Sequence, residues 1–131
     1  MRIGIGDIAG SPADVDGLVA QAKRAEGDGF ASGWFANIFG MDAIMAAAIC
    51  GRETSRIEVG TAVVPTYPRH PIAMAQAALS AQAVAGGRFT LGIGPSHQVV
   101  IEGMLGLAFD KPFARMRESL AVLGRPIQPA C

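Results

Sequence analysis

The chain has 131 residues, 50% of them hydrophobic, and its eleven basic and eleven acidic side chains cancel to a formal charge of zero. That length suits one ordinary domain with a real core, and the apolar fraction excludes disorder. Sparse, scattered charge excludes an electrostatic footprint for nucleic acid or anionic lipid.

Arg2 precedes only a short apolar run that soon meets Asp7, Ser11 and Pro12, which does not read as a signal peptide. The longest apolar stretch, residues 43–50, is too short to span a bilayer. Cys50 and Cys131 form neither a disulfide framework nor a metal-ligand cluster. The expectation is a cytoplasmic protein with reduced thiols and no metal.

Residues 1–8 read as a first strand, with apolar residues alternating with glycine. Ser11-Pro12 is a helix-start signal, and Val15, Leu18, Val19 and Ala22 then define one apolar face. Lys23, Arg24 and Glu26 lie largely off that face, and Gly27 to Gly29 ends the helix. A second strand over 30–36 is followed by Asn37, and a second helix is expected over 41–54 with Asp42 in its first turn.

The third strand is expected over 57–64, and Pro65, Pro68 and Pro71 frame a stiff loop before a third, alanine-rich helix over 72–84. Gly86-Gly87 closes that helix, and a fourth strand covers 89–93. A short helix over 99–105 comes next. Phe113, Met116, Leu120 and Leu123 then mark the apolar face of a last amphipathic helix. Strict alternation of strands and helices implies parallel strands with right-handed crossovers. An open doubly wound sheet and part of a closed (β/α)8 barrel both fit this pattern.

In such folds the loops after the strands carry the chemistry. Gly60 permits close approach of a backbone or a flat ligand. The loop after the third strand presents Thr66, Tyr67, Arg69 and His70, either as a site or as solvated side chains of a stiffened connection. Gly92-Ile-Gly94-Pro-Ser-His97 lacks the third glycine of a dinucleotide fingerprint and has no Walker lysine, so a nucleotide fold is rejected. His97, at a strand's end, is placed to donate a hydrogen bond or exchange a proton, or else to cap the next helix. His70, Glu102 and Asp110 read as structural, solvated or capping. No Ser-His-Asp order, His-Glu-x-x-His or paired carboxylates can be read.

Four segments carry a family resemblance: Ser55-Arg-Ile-Glu-Val-Gly-Thr-Ala-Val-Val-Pro65, His70-Pro-Ile-Ala-Met-Ala-Gln76, Gly86-Gly-Arg-Phe-Thr-Leu-Gly-Ile-Gly94, and Phe109-Asp-Lys-Pro112 with Arg117-Glu118. On these the chain resembles the N-terminal half of the luciferase-like monooxygenase superfamily, in the branch of oxidoreductases that use the deazaflavin coenzyme F420. The resemblance implies an α/β fold of four βα units, the N-terminal half of a TIM (β/α)8 barrel, over 1–123, with a non-homologous tail over 124–131. It implies a bulge on the third strand, often with a non-prolyl cis peptide at Thr61-Ala62 or Ala62-Val63, that backs the cofactor ring. Thr61, Ala62, Val63, Gly94, Ser96 and His97 are the implied cofactor-binding residues, and His97 and Asn37 the implied catalytic ones.

Two departures stand against the family pattern. Many relatives place an acidic residue and a histidine after the second strand, where this chain has Ala36-Asn37. A whole barrel needs eight strand–helix units, about 250 residues, so the chain reads as truncated. The function implied is hydride transfer between F420 and a small organic substrate. FMN-dependent monooxygenation is the alternative within the superfamily, and a non-catalytic half-barrel is the alternative outside it. In either case the exposed half-barrel edges predict a homo-oligomer.

Overall fold

The computed structural model describes residues 1–8 and 14–124. In chain order the elements are β1 (Gly4–Ile8), α1 (Val15–Gly27), β2 (Ser32–Phe35), α2 (Ala43–Glu53), β3 (Glu58–Thr61), β4 (Val64–Pro65), α3 (Pro71–Val84), β5 (Phe89–Thr90), β6 (Ile93–Gly94), α4 (Gln98–Gly103) and α5 (Pro112–Leu123). The expected helix start at Ser11-Pro12 and the expected tail beyond residue 124 lie outside the described residues. The chain divides into two compact units, Met1–Val64 with Ala77–Ile93, and Pro65–Gln76 with Gly94–Cys131.

Carboxylates cap the N-termini of α1 and α2. The Asp14 side chain accepts from Gly17 N at 2.8 Å, and Asp42 accepts from Met45 N at 2.9 Å. Each satisfies one of the orphan amides of a first turn. The second helix therefore starts at Ala43, two positions later than the expected bound at residue 41. At the end of α3, Gly86 and Gly87 take positive φ and donate to Ala83 O and Gln82 O, closing it as expected.

In the first unit β1, β2, β3 and β5 form one parallel sheet in that spatial order. Sequential order with right-handed crossovers puts every crossover helix on the same face. A doubly wound sheet needs the order to reverse, so this topology is of the barrel type and settles the choice the sequence left open. Register pairs Gly33 with Val59 and Val59 with Phe89, and that side is buried under the helices. Packing there is close: a Cβ on Gly51 of α2 would meet Ala85 Cβ at 2.6 Å. Leu18, Ala22 and Ala25 of α1 and Cys50 of α2 complete this layer. Burial pushes the Cys50 thiol up to about 12, so it is an unreactive core group. On the opposite face Trp34 lies across Gly60, and its Nε1 donates to Ser32 Oγ at 3.1 Å.

Two expectations need correction. The third and fourth strands are each divided, at residues 62–63 and 91–92, because those residues leave the ladder. The last helix does form, but its apolar stripe is not buried. Phe113 is 91% and Leu120 56% exposed, whereas Ser119 is the buried residue. Apolar periodicity located the helix but not the side that packs.

Candidate functional site

The first unit builds a ledge where β3 stops. Thr61 is buried, and its hydroxyl both donates to Gly92 O at 2.8 Å and accepts from Gly92 N at 2.9 Å. A side chain on Gly92 would collide with the Thr61 carbonyl oxygen, so only glycine lets the two backbones approach. Ala62 N donates to Phe35 O at 2.8 Å and Val64 N to Gly92 O at 2.9 Å. The peptide between them, Ala62–Val63, is cis. The implied non-prolyl cis bond is thus present, at the second of its two candidate positions. Ala62 and Val63 are both exposed. The result is a short stretch of backbone fixed on both sides and bearing only small apolar side chains.

Such a ledge suits the face of a planar ring, which needs flat apolar contact and no projecting chain. The residues present therefore fit a flavin or deazaflavin. Asn37 sits after β2 in the same unit, and its Oδ1 accepts from Ala43 N at 3.1 Å. That bond fastens the loop to the start of α2. Between them Ile38 and Phe39 are exposed.

The second unit holds the other predicted residues. Gly94 is buried and its carbonyl accepts from Thr66 N at 2.9 Å. Ser96 takes a positive φ of 66°, in the left-handed region. His97 stands at the N-cap position of α4, where its carbonyl accepts from Val100 N and Ile101 N. Its imidazole makes no capping bond and is exposed. The capping alternative for this side chain is therefore not adopted. His70 Nδ1 accepts from Ile72 N at 3.3 Å, in keeping with a structural role.

Three sets of contacts were not foreseen in the sequence reading. Glu26 gathers the amides of Ser55, Arg56 and Ile57, at 2.6–3.3 Å. Burial pushes this carboxyl up, but the backbone donors and the Ser55 hydroxyl outweigh it and hold the group at about 2. Arg88 donates to Ile57 O, Gly51 O and Thr54 O at 2.6–2.9 Å, tying the end of α2 to the start of β3. In the second unit Tyr67 OH donates to Asp110 O at 2.6 Å, its ring stacks on Phe109, and the Arg115 guanidinium lies 4.7 Å over it. Glu26 carried no signal, whereas Arg88, Phe109 and Asp110 stood in the quoted family segments and Tyr67 among the polar members of its loop.

Among the described residues no group of three or more His, Cys, Asp or Glu could hold a metal ion, and no helix is long and apolar enough to cross a membrane. A singly wound parallel sheet with a bare backbone ledge after its third strand defines a protein of the βα-barrel class. The chain belongs to the luciferase-like monooxygenase family, whose sequence profile matches residues 2–127. It is 41% identical over 106 residues to a Mycobacterium tuberculosis protein called "Putative coenzyme F420-dependent oxidoreductase", covering 81% of this chain and 30% of that one. The coenzyme F420-dependent tetrahydromethanopterin reductase of Methanopyrus kandleri superposes with a TM-score of 0.75 at 22% identity, covering 94% of this chain and 40% of that one. The oxygenating constituent of 3,6-diketocamphane monooxygenase from Pseudomonas putida, solved with FMN, gives 0.79 at 18% identity and covers 94% and 38%. The chain thus spans about 30% of the length of the curated relatives it matches.

Proposed function

We propose that this chain carries the ring-binding part of an F420-dependent oxidoreductase acting on a small organic substrate. The observation that carries the proposal is the ledge at Ala62 and Val63, pinned to Phe35 O and Gly92 O and free of bulky side chains. The 41% identity to an F420-named relative supports the deazaflavin over FMN. When bound, the deazaflavin supplies hydride transfer, and the protein supplies position and electrostatics. Thr61 holds the ledge through Gly92, Ala62 and Val63 offer the apolar contact, and Asn37 offers Nδ2 to a substrate oxygen. Gly94, Ser96 and His97 are proposed as further ligand-binding residues, with His97 polarising a substrate oxygen. Because of the 30% coverage, complete turnover is proposed for a protein in which the remaining strand–helix units are supplied.

Titration of the chain with F420 and with FMN, followed by cofactor fluorescence, tests this. F420 is expected to bind at or below tens of micromolar, roughly 6–7 kcal/mol, and FMN more weakly. Ala62→Phe, at an exposed position, is expected to abolish binding with circular dichroism unchanged. Absence of binding by both cofactors at that concentration sinks the reading, and tighter FMN binding replaces F420 with the flavin.

A further inference from the structure

The loop that follows β2 in the first unit presents two large apolar side chains to solvent. Phe39 is 65% and Ile38 63% exposed. A lone exposed apolar residue on a loop needs no explanation, but here there are two in succession and the loop is tied. Asn37 Oδ1 accepts from Ala43 N at 3.1 Å and closes the loop onto α2. Gly40 N donates to Ile38 O at 2.6 Å, a three-residue turn with Phe39 at its tip. These two bonds fix the backbone that carries the phenyl ring, so little ordering is left for a ligand to impose.

Register gives the loop its place. β2 and β3 are parallel neighbours, and Phe35 pairs with Thr61. The loop and the Ala62–Val63 ledge therefore leave adjacent strands at one level and at the same end of the sheet. Ala62 N donates to Phe35 O at 2.8 Å, and Phe39 follows Phe35 by at most about 14 Å of extended chain. In parallel βα folds this end of the sheet is where ligands lie, whereas sheet edges and outer helix faces meet other chain.

Charge is missing from these strand ends. Residues 36–41, 62–64 and 91–93 include no Asp, Glu, Lys, Arg or His. The Asp42 carboxylate that follows accepts from Met45 N at the start of α2. A charged substrate group buried here would find no counter-ion on these segments, and burying an unpaired charge is costly.

We propose that Phe39, with Ile38, forms an apolar wall for the substrate and sets its class: the part of the substrate that meets this chain is uncharged and apolar. The inference deepens the oxidoreductase reading and rests on it for the word substrate.

Saturation-transfer NMR of the full chain, observing cyclohexanone as a neutral probe, tests the proposal alongside the F420 and FMN titrations. Cyclohexanone is expected to bind saturably below about 20 mM. Phe39→Ser is expected to weaken it at least about fivefold, the loss of part of a phenyl contact, with circular dichroism unchanged. Phe113→Ser, on the exposed apolar face of α5, is expected to leave cyclohexanone binding as it is, which separates the two exposed aromatic sites. Cyclohexanecarboxylate and cyclohexylammonium are expected to bind at least about fivefold more weakly, since neither charge finds a partner. If Phe39→Ser does not fold, Ile38→Ser takes its place. Cyclohexanone binding that survives Phe39→Ser, or charged analogues that bind as tightly, overturns the proposal. If Phe39→Ser instead lowers the light-scattering mass and leaves cyclohexanone binding intact, a second copy covers the loop and the proposal falls. F420 binding without saturable cyclohexanone binding also overturns it, and leaves the cofactor reading standing. Cyclohexanone binding that requires Phe39 while both cofactors fail upholds the apolar site and removes the cofactor reading.

Discussion

Arg88 shows how much one side chain fixes in the first unit. Its guanidinium reaches three carbonyls that the end of α2 and the start of β3 leave unpaired, in a fork geometry that an ammonium cannot copy. Arg88→Ala is expected to cost about 2–4 kcal/mol, and Arg88→Lys to recover less than half of that. Urea unfolding of the three proteins measures it, and a loss below about 0.5 kcal/mol for the alanine variant would show that water replaces the fork. The quoted segment around Arg88 pointed to a family, but its role was hidden because its partners lie 31 to 37 residues away. Thr61 and Gly92 were hidden in the same way. Both stood in regions marked as functional, yet their reciprocal bond joins residues 31 apart, and nothing local in the sequence encodes that register. Gly92 is glycine because of the Thr61 carbonyl, a reason its Gly-x-Gly setting did not reveal.

At the scale of elements, local rules served the helices and failed the strand ends. Apolar period and terminal glycines place α1, α2 and α3 within a few residues, since those signals are written inside each helix. Splitting of the third and fourth strands depends on bonds from Phe35 and Gly92 to the segment 62–64, which are tertiary. The join between α1 and β3 is tertiary too, and it makes a pH prediction. Glu26, the penultimate residue of α1, accepts from three consecutive amides before β3, and its carboxyl sits at about 2 against an ordinary 4.5. A folded-state value below the unfolded one means the unfolded chain binds the proton more tightly. The stabilisation is therefore complete above about pH 5, fades as pH falls through the ordinary carboxyl range, and is gone near the folded value of about 2. Glu26 is partly solvated, so its share is smaller than the shift alone implies. Urea midpoints measured between pH 3 and 7 should fall more steeply on the acid side for the parent than for Glu26→Gln. Parallel curves would remove Glu26 as the cause.

At the scale of the molecule, the described residues leave open sheet edges and an exposed apolar cleft. The sheet of the first unit ends in β1 on one side and β5 on the other, each with one edge unpaired within that sheet. Open edges of this kind are templates for further strand pairing. The second unit adds an apolar cleft of about 590 Å³ lined by Pro95, Phe109, Phe113, Met116 and Leu120. Phe113 contributes most, since nine-tenths of it faces solvent. Burying that ring and Leu120 against a partner would return about 1.5–3 kcal/mol for each side chain. Relatives covered to 38–42% by this chain continue beyond the aligned part, so the same surfaces there have further chain available to meet. Here the expected outcome is self-association. Light scattering at micromolar concentration should give a mass above the monomer that rises with concentration. Phe113→Ser should lower that mass if the cleft contributes. If the substitution leaves the mass high, the sheet edges carry the association instead. A single monomeric mass across the range would mean that neither surface seeks a partner.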